Sequence, residues 1–184
     1  MLTVMLGGAP GVGKSTVAER LLELAQDGQH LVQWVDVDSL WLHQPWRVDD
    51  RMKAMVQANL RAVASHASEA EVDILLITWV FQSSEFHHLI TGLLPAGTAT
   101  MSVQLRAGED TWVRRFEADP RRPGLNDFYW SRFAAAQATA TDYTIETDGV
   151  TPTEVALRLA ALVGLAEPDI PVAAQSSAEP SQNA

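Results

Sequence analysis

Apolar residues along the chain alternate between short continuous runs and longer segments with helical spacing. Residues 2–6 and 71–78 are runs typical of strands buried on both faces of a parallel sheet. Residues 14–27 and 48–70 carry apolar side chains three and four positions apart, which predicts two helices. Gly28 follows the first of these helices and is expected to end it.

The same alternation continues to the end of the ordered pattern. Further strands are predicted at 31–38, 99–105 and 143–147, and further helices at 84–94, 110–118, 127–140 and 152–163. The last helix begins with a capping box of Thr151 and Glu154, with Pro152 at its first position. Because strands alternate with helices, we predict an α/β fold: a five-stranded parallel sheet in three layers, with helices on both faces.

Domain organisation follows from where the apolar pattern stops. Residues 1–165 are expected to form one domain, which leaves no room for a second, helical domain such as large ring-forming ATPases carry. Residues 166–184 are rich in Pro, Ala, Ser, Gln and Glu, and we expect them to form a disordered tail.

The connection between the first strand and the first helix matches the phosphate-binding pattern G-x-x-x-x-G-K-[ST]. Its glycines let backbone N–H groups approach an anion, and the helix N-terminus adds a favourable dipole. Lys14 is placed to reach the β- and γ-phosphates of a nucleotide, and Ser15 offers a hydroxyl to Mg²⁺. The residues predicted to bind ATP here are Gly8, Ala9, Pro10, Gly11, Val12, Gly13, Lys14, Ser15 and Thr16. A glycine turn with an incidental lysine is the weaker alternative, since strand, loop and helix occur in the order that the motif requires.

Composition narrows the classes of partner. The chain has 184 residues, a net charge of −10 and no cysteine. The acidic charge argues against nucleic acid and against an anionic membrane surface, and the lack of cysteine removes disulfides and thiolate metal sites. No apolar run approaches about 20 residues and no signal peptide is visible, so we expect a cytoplasmic protein.

Two carboxylates are expected at the carboxyl end of the second strand, where ligands bind in such sheets. Asp36 and Asp38 are two positions apart and would point to the same side. We assign Asp36 to Mg²⁺, together with Ser15, and Asp38 to the acceptor as the catalytic base. In the alternative, Asp38 only caps the following helix. The third strand ends without an acidic residue, and Asp73 lies at its opposite end, so no Walker B carboxylate is expected.

An arginine cluster lies in the second half of the chain, at Arg106, Arg114, Arg115, Arg121 and Arg122. Arginines stabilise the charge that spreads over a transferred phosphoryl group, so we predict a lid over residues 110–132 that closes on the nucleotide. Arg115 and Arg122 are predicted to be catalytic, and Arg114 to contact ATP. Because acidic residues are interleaved, a solvated helix face is the alternative.

Aromatic residues mark the predicted acceptor side, around residues 39–70. Trp41, Trp46 and Trp79, with Arg47, would form an apolar wall with one cation, suited to an organic acceptor. Trp79 and Phe81 could equally be core residues. No metal-like spacing surrounds His43, His87 and His88, which we predict to lie at the surface.

This order of motifs resembles the P-loop kinases of the nucleoside-monophosphate and shikimate kinase type. Val37-Asp38-Ser39-Leu40 is similar to the corresponding stretch of chloramphenicol phosphotransferases, a resemblance that implies the base role of Asp38. Leu76-Ile77-Thr78-Trp79-Val80-Phe81 and Ile145-Glu146-Thr147-Asp148 resemble the tunicamycin-resistance group. These likenesses imply ATP, Mg²⁺ and a small acceptor, with adenine beside the turn at Asp148 and Gly149.

Departures from the shikimate kinases limit the choice of acceptor. Trp79-Val80-Phe81 stands where those enzymes have a glycine triplet, and Arg132 is a badly spaced substitute for their substrate-binding arginine. Shikimate is therefore disfavoured, and a hydroxyl or phosphate of a nucleoside, nucleotide, sugar or antibiotic-like compound stays open. The alternatives to a kinase are a nucleotide-binding switch or resistance protein without turnover, and a slow NTPase. The oligomeric state is not predicted.

Overall fold

One parallel sheet forms the centre of the computed structural model, which describes residues 1–165. Its strands are β1 (Leu2–Gly7), β2 (Val32–Asp36), β3 (Ile74–Thr78), β4 (Ala99–Arg106) and β5 (Tyr143–Glu146). They lie in the order β2-β3-β1-β4-β5, and every pairing is parallel. The predicted α/β fold with a five-stranded parallel sheet is confirmed.

Helices connect the strands and cover both faces of the sheet. They are α1 (Lys14–Leu24), α2 (Asp50–Glu69), α3 (Ser84–Thr91), α4 (Glu109–Glu117), α5 (Asp127–Ala138) and α6 (Pro152–Leu162). Short 3₁₀ helices follow α1 at Ala25–Asp27 and β2 at Val37–Trp41. Within residues 1–165, none of the helices is long and apolar enough to cross a membrane.

Alternate residues of the central strand β1 build two separate cores. Val4 and Leu6 face one way and pack in a cluster with residues of α1, α4, α5 and α6. Met5 faces the other way and packs with residues of α2 and α3. This division follows from the two-residue period of a strand, since both faces of β1 are buried. It holds the end of β1, and so the loop that follows, between two packed layers.

Helix ends carry the side-chain signals read in the sequence. The Thr151 hydroxyl and the Glu154 backbone form the predicted capping box, and the Glu154 carboxylate accepts from the Thr151 backbone N–H at 2.7 Å. Asp49 caps α2 by accepting from the Met52 N–H at 2.9 Å. Gly28 ends the 3₁₀ extension of α1 with a φ of 80°, a conformation that favours glycine.

Several element boundaries differ from the predicted ones. β2 ends at Asp36 and not at Asp38, because the Asp36 carboxylate accepts from the Asp38 N–H at 2.9 Å and so starts the 3₁₀ helix. β3 begins at Ile74, because the N–H groups of Glu71 and Val72 donate to α2 carbonyls, of Ser68 at 3.2 Å and of Ala67 at 2.9 Å, and so close the end of that helix. The predicted tail at 166–184 lies outside the described residues. The acceptor region and the lid stay predictions as functional units.

Candidate active site

The phosphate-binding loop joins the end of β1 to the start of α1. Gly13 adopts a φ of 113° immediately before α1, and Gly11 adopts a φ of 87°. A Cβ at Gly11 would meet the Phe116 ring at 3.2 Å, so both conformation and space favour glycine there. Ala9 and Val12 are buried in the core and anchor the loop. The sequence therefore places the N-terminal N–H groups of α1 beside the loop, as an anion site requires.

Lys14 folds back along the loop. Its Nζ donates to the carbonyl oxygen of Gly8 at 2.8 Å and to that of Ala9 at 3.2 Å. Burial lowers the pKa of Lys14 to about 8, while the carboxylates of Asp38 and Asp36 oppose that change. The ammonium is thus held between the loop and two carboxylates, at the position where nucleotide phosphates bind in this motif.

Ser15 and Asp36 bring two oxygens together beside the loop. The Ser15 hydroxyl donates to Asp36 Oδ2 at 3.5 Å. Among residues 1–165, no three His, Asp or Glu side chains converge to form a metal site. Mg²⁺ commonly binds through one or two protein oxygens and completes its shell with phosphates and water. The donor pair Ser15 and Asp36 fits that chemistry, and the metal role stays a prediction.

Asp38 is exposed to solvent overall, and it lines the phosphate cavity just beyond the carboxyl end of β2. Its Oδ1 accepts from the Trp79 indole N–H at 3.1 Å. Protein packed around the carboxylate removes part of its hydration and raises the pKa of Asp38; the nearby Asp36 carboxylate acts in the same direction. The Lys14 ammonium and the Trp79 N–H both oppose that rise. Since Asp36 and not Asp38 caps the 3₁₀ helix, the Asp38 carboxylate is not used as a helix cap.

A polar cavity of about 360 Å³ joins these groups. Its lining includes the loop residues Pro10, Gly11, Gly13, Lys14, Ser15 and Thr16, the carboxylates of Asp36, Asp38 and Asp119, and Val80, Arg115, Arg121 and Arg122. Cations and backbone N–H groups therefore surround a space large enough for a polyphosphate.

The predicted lid arginines have unequal positions. Arg122 lies over the Phe116 ring at 5.1 Å, and its Nε pairs with Asp119 at 3.2 Å at the edge of the polar cavity. Arg121 pairs with the same carboxylate at 2.9 Å but is 87% exposed. Arginine contacts hold the pKa of Asp119 well below its usual range. Arg122 is therefore the better ordered of the two.

Arg115 links three segments of the chain. Its guanidinium donates to the Thr147 carbonyl at 2.7 Å, to the Thr147 hydroxyl at 2.8 Å and to the Val12 carbonyl at 3.3 Å. Arg114 is exposed and contacts only the Thr111 hydroxyl, at 3.4 Å. Arg106 donates to the Thr139 carbonyl at 3.3 Å, away from the polar cavity. Of these three arginines, Arg115 alone lines the phosphate cavity.

A second cavity, of about 270 Å³, extends from the phosphate cavity toward α6. Arg115, Thr147, Val150, Pro152 and Val155 line it together with loop and α1 residues. Its apolar walls beside the loop suit the base of a nucleotide. Asp148 and Gly149, predicted to lie beside adenine, do not line this cavity; the Asp148 carboxylate instead accepts from the Gly108 N–H at 2.8 Å.

A third cavity, of about 300 Å³, opens on the other side of Asp38. Pro10, Asp38 and Val80 line both it and the phosphate cavity, and Trp79 forms one wall. Trp41 lines a further cavity beside it. Trp46 is 58% exposed and Arg47 is also exposed, and neither lines the phosphate cavity or the three cavities around it. Their role in acceptor binding stays a prediction.

The third cavity is also lined by Phe81, which the sequence left open as wall or core, and by Arg132, predicted only as a badly spaced substitute for a substrate-binding arginine. Its other lining residues were not assigned to the site from the sequence; they are Gln82, Phe86, Phe128 and Tyr129. Arg132 and the aromatic residues beside it lie on α5, about 90 positions after Asp38, and only the packing of α5 against the sheet edge brings them near. The one signal in the sequence was the aromatic content around Arg132.

The prediction that His87 lies at the surface is wrong. It is buried, not at the surface, and its ring stacks on Phe81 at 4.7 Å with an interplanar angle of 4°. Burial lowers the pKa of His87. Phe81 is fully buried and adopts a φ of 42°, so it belongs to the core, while Trp79 is only partly buried and reaches the cavities. Helix periodicity in α3 puts His87 on the same face as Ile90, which could have revealed its burial.

A comparison with protein families shows which family this chain belongs to. Residues 4–131 match the family model described as AAA domain (AAA_18). The chain belongs to this AAA domain family. The match runs from β1 through the phosphate-binding loop into α5, so it includes every residue that lines the phosphate cavity. No curated protein matches the sequence significantly.

Solved structures similar to this AAA domain are P-loop kinases and a resistance protein. The tunicamycin resistance protein of Deinococcus radiodurans has a TM-score of 0.66 at 21% identity, over 89% of this chain and 96% of that one. A sugar kinase from Janibacter sp. HTCC2649 has a TM-score of 0.67 at 14% identity, over 90% and 96%. The APS kinase of Mycobacterium tuberculosis, in complex with AMPPNP and APS, has a TM-score of 0.58 at 21% identity, over 88% and 96%. The resemblance to small-molecule P-loop kinases is confirmed at the level of the fold.

Proposed function

We propose that this AAA domain is an ATP-dependent kinase that transfers a phosphoryl group to a hydroxyl of a small molecule in the cytoplasm. One observation carries the proposal: Asp38 lines both the phosphate cavity and the adjoining third cavity. A carboxylate at that junction can contact a donor on one side and an acceptor on the other. A cavity on the other side of Asp38 favours a reaction with a second substrate over simple hydrolysis of the nucleotide.

ATP would occupy two connected cavities. The loop, Lys14 and Arg122 surround the triphosphate, and the apolar cavity beside Thr147 and Val150 receives adenine. The APS kinase, which has a similar fold, was solved in complex with AMPPNP, which supports an adenine nucleotide as the ligand. We keep Asp148 and Gly149 in the proposal as residues that shape the turn next to adenine, because Asp148 fixes the start of α4 through Gly108.

Transfer needs a base at the acceptor. The Asp38 carboxylate accepts the proton of the acceptor hydroxyl as that oxygen bonds to the γ-phosphorus, and the bond from the γ-phosphorus to the β–γ bridging oxygen breaks. The products are ADP and a phosphomonoester, and Asp38 later releases its proton to solvent. Trp79 holds the carboxylate in place through its indole N–H. Lys14 and Arg122 stabilise negative charge on the phosphoryl oxygens.

Ser15 and Asp36 would hold Mg²⁺. When bound, the ion would neutralise negative charge on the phosphates and so assist the transfer, in addition to the base and the cationic side chains. Asp36 accepts from both Ser15 and the Asp38 N–H, so it fixes the positions of the metal-side hydroxyl and of the 3₁₀ helix that carries the base.

ADP formation by the purified protein, with and without a panel of hydroxyl compounds, tests the proposal. We expect at least one compound to raise ADP formation by about tenfold or more, with an equal amount of phosphorylated compound, and Lys14→Ala to abolish both. Hydrolysis that no compound changes would support a slow NTPase. ATP binding without turnover for any compound would support a switch or resistance protein instead.

A further inference from the structure

A fourth cavity, of about 280 Å³, lies between the 3₁₀ helix Val37–Trp41, α2 and α3. Its walls are mostly aliphatic and aromatic, with Trp41 on one side, Val56 and Leu60 on α2, and Phe86 and Ile90 on α3. Globular proteins keep few such openings in a packed layer. It therefore needs an explanation beyond incomplete packing.

The cavity is continuous with the acceptor side of the active site. Trp79, Gln82, Phe86 and Arg132 line both the third and the fourth cavity. The Trp79 ring packs against Phe86 with centroids 4.9 Å apart, while its indole N–H holds Asp38. One side chain thus joins the base to the apolar walls, and a molecule at Asp38 can extend into the fourth cavity.

The lining of the fourth cavity favours an apolar group over a polyhydroxylated one. It has no carboxylate in its lining, and its polar side chains are Lys53, Gln57, Gln82 and Arg132. Lys53 pairs with Asp50 at 3.0 Å, which leaves it less able to serve an acceptor. A sugar or polyol would lose more hydrogen bonds to water than these few polar groups can replace.

Gln82 supplies a polar contact at the neck between the two cavities. Its side-chain oxygen is buried and has no hydrogen-bond partner among the described residues. Buried amide oxygens in folded proteins nearly always accept a hydrogen bond. An O–H or N–H donor on a bound molecule would complete that contact.

Exposed apolar residues surround the opening. Val48, at the fourth cavity, is 61% exposed, and Phe128, at the third, is 55% exposed. Arg132 lies over the Phe128 ring at 4.8 Å. Large exposed apolar side chains on both sides of one cleft are typical of a site that binds an apolar surface.

We propose that the phosphoryl acceptor is an amphipathic alcohol. Its hydroxyl lies at Asp38, a second hydrogen-bond donor contacts Gln82, and an aromatic or branched aliphatic group fills the fourth cavity. An engineered cavity of about 150 Å³ holds benzene, so about 280 Å³ accommodates a group as large as two fused rings. This inference rests on the proposed kinase function, since it names the class of acceptor.

Calorimetry with matched alcohols tests the inference, in the presence of a non-hydrolysable ATP analogue. 2-(2-Naphthyl)ethanol is the apolar probe, and sorbitol is the polyol. We expect the naphthyl alcohol to bind about a hundredfold more tightly, because it alone buries apolar surface. Equal or tighter binding of sorbitol would overturn the proposal.

A cavity-filling variant locates the binding. Gln57→Trp, on the cavity side of α2, should weaken naphthylethanol binding by about tenfold or more. Ala58→Trp places the same ring on the neighbouring exposed position and should change the affinity by less than about twofold. Leu89→Trp fills the cavity from α3 and replaces Gln57→Trp if that variant fails to fold. Equal effects of the cavity-filling and control variants would place the ligand elsewhere and overturn the proposal.

Gln82→Leu tests the polar contact. It should weaken binding of 1-(2-naphthyl)ethane-1,2-diol by about fivefold or more and leave naphthylethanol unchanged, since only the diol has a second donor. Equal losses for both probes would overturn the role of Gln82.

ADP formation with the same probes separates the two proposals. Naphthylethanol that binds at the cavity, with no ADP formed from it or from any compound of the panel, supports the apolar site and refutes the kinase. ADP formation stimulated by polyols alone supports the kinase and overturns the amphipathic acceptor.

Discussion

Replacement of Asp38 by asparagine tests the role of the base with little structural change. Asparagine keeps an oxygen that can accept from the Trp79 N–H, which lies 3.1 Å from the Asp38 carboxylate in the wild-type protein. It removes the negative charge and the ability to take a proton. Because the Asp38 carboxylate supports the charged form of Lys14, the variant also lowers the pKa of Lys14 further.

The expected loss is large for turnover and small for binding. A positioned general base contributes about 10²–10⁴-fold, or about 2.7–5.4 kcal/mol of barrier. ATP affinity should change by less than about threefold, since the loop, Lys14 and Arg122 all remain and the negative charge of bound phosphates favours the charged form of Lys14. Stability should be unchanged, because Asp36 and not Asp38 starts the 3₁₀ helix.

Acceptor-dependent ADP formation and calorimetric ATP binding measure the two effects. Asp110→Asn, which removes the same charge from an exposed position of α4, is the control and should behave like the wild type. Turnover of Asp38→Asn within about threefold of the wild type would refute the base role. A matching loss of ATP affinity would show that Asp38 acts through the nucleotide site.

The pH dependence of turnover is an independent test of the base role of Asp38. The pKa of Asp38 is raised by its surroundings, and the carboxylate must be charged to accept a proton, so turnover should fall as pH decreases through that pKa. Trp79→Phe removes an N–H that lowers this pKa, so the acidic fall in turnover should move to higher pH. If the acidic fall in turnover stays at the same pH in Trp79→Phe, the titration of Asp38 does not control turnover.

Three further predictions concern the cations. Lys14 has a pKa of about 8 in the free protein and loses its charge above that pH, so ATP affinity should fall there by up to about tenfold per pH unit. Calorimetry of Lys14→Met should show no such fall. Arg122→Ala should lower turnover about 10³-fold and ATP affinity much less, because the transition state carries the charge that Arg122 stabilises. Exposed Arg121→Ala should lower turnover by less than about fivefold. Arg115→Ala should lower the melting temperature by about 5 °C, because it removes the charged hydrogen bonds to Thr147. Arg114→Ala should shift the melting temperature by less than about 1 °C. Equal shifts for the two variants would show that Arg115 does not stabilise the fold by linking these segments.

The fold could be predicted because its signals are local. Buried parallel strands are continuous apolar runs, and the phosphate-binding loop specifies its own conformation through Gly11 and Gly13. The capping box at Thr151 fixes the start of α6 within one turn. Each of these features depends on residues close together in the sequence, so single-chain patterns contain them.

The site was predicted less completely, because its acceptor side depends on distant packing. Arg132 and Gln82 meet Trp79 only after α5 and the end of β3 have packed at the same edge of the sheet. Spacing also could not show how differently two neighbouring arginines lie: helix geometry exposes Arg114 and turns Arg115 onto Thr147. The catalytic roles predicted for Arg115 and Arg122, and the ATP contact predicted for Arg114, stay predictions.

The same limit applies to Asp36 and Asp38. Their spacing suggested a strand with both side chains on one side, but a side-chain hydrogen bond ends the strand at Asp36. Both carboxylates still reach the phosphate cavity, because the tight turn of the 3₁₀ helix brings Asp38 back toward the loop. The expected proximity is observed, and its structural cause differs from the expected one.

Detection of the phosphorylated product tests the central claim most directly. The wild-type protein, given ATP, Mg²⁺ and an amphipathic alcohol, should form one phosphomonoester for each ADP, visible by phosphorus NMR, and Asp38→Asn should form about 10²-fold less or lower. ADP accompanied only by inorganic phosphate, at a rate that Asp38→Asn leaves unchanged, would contradict the claim that Asp38 joins a donor site to an acceptor site.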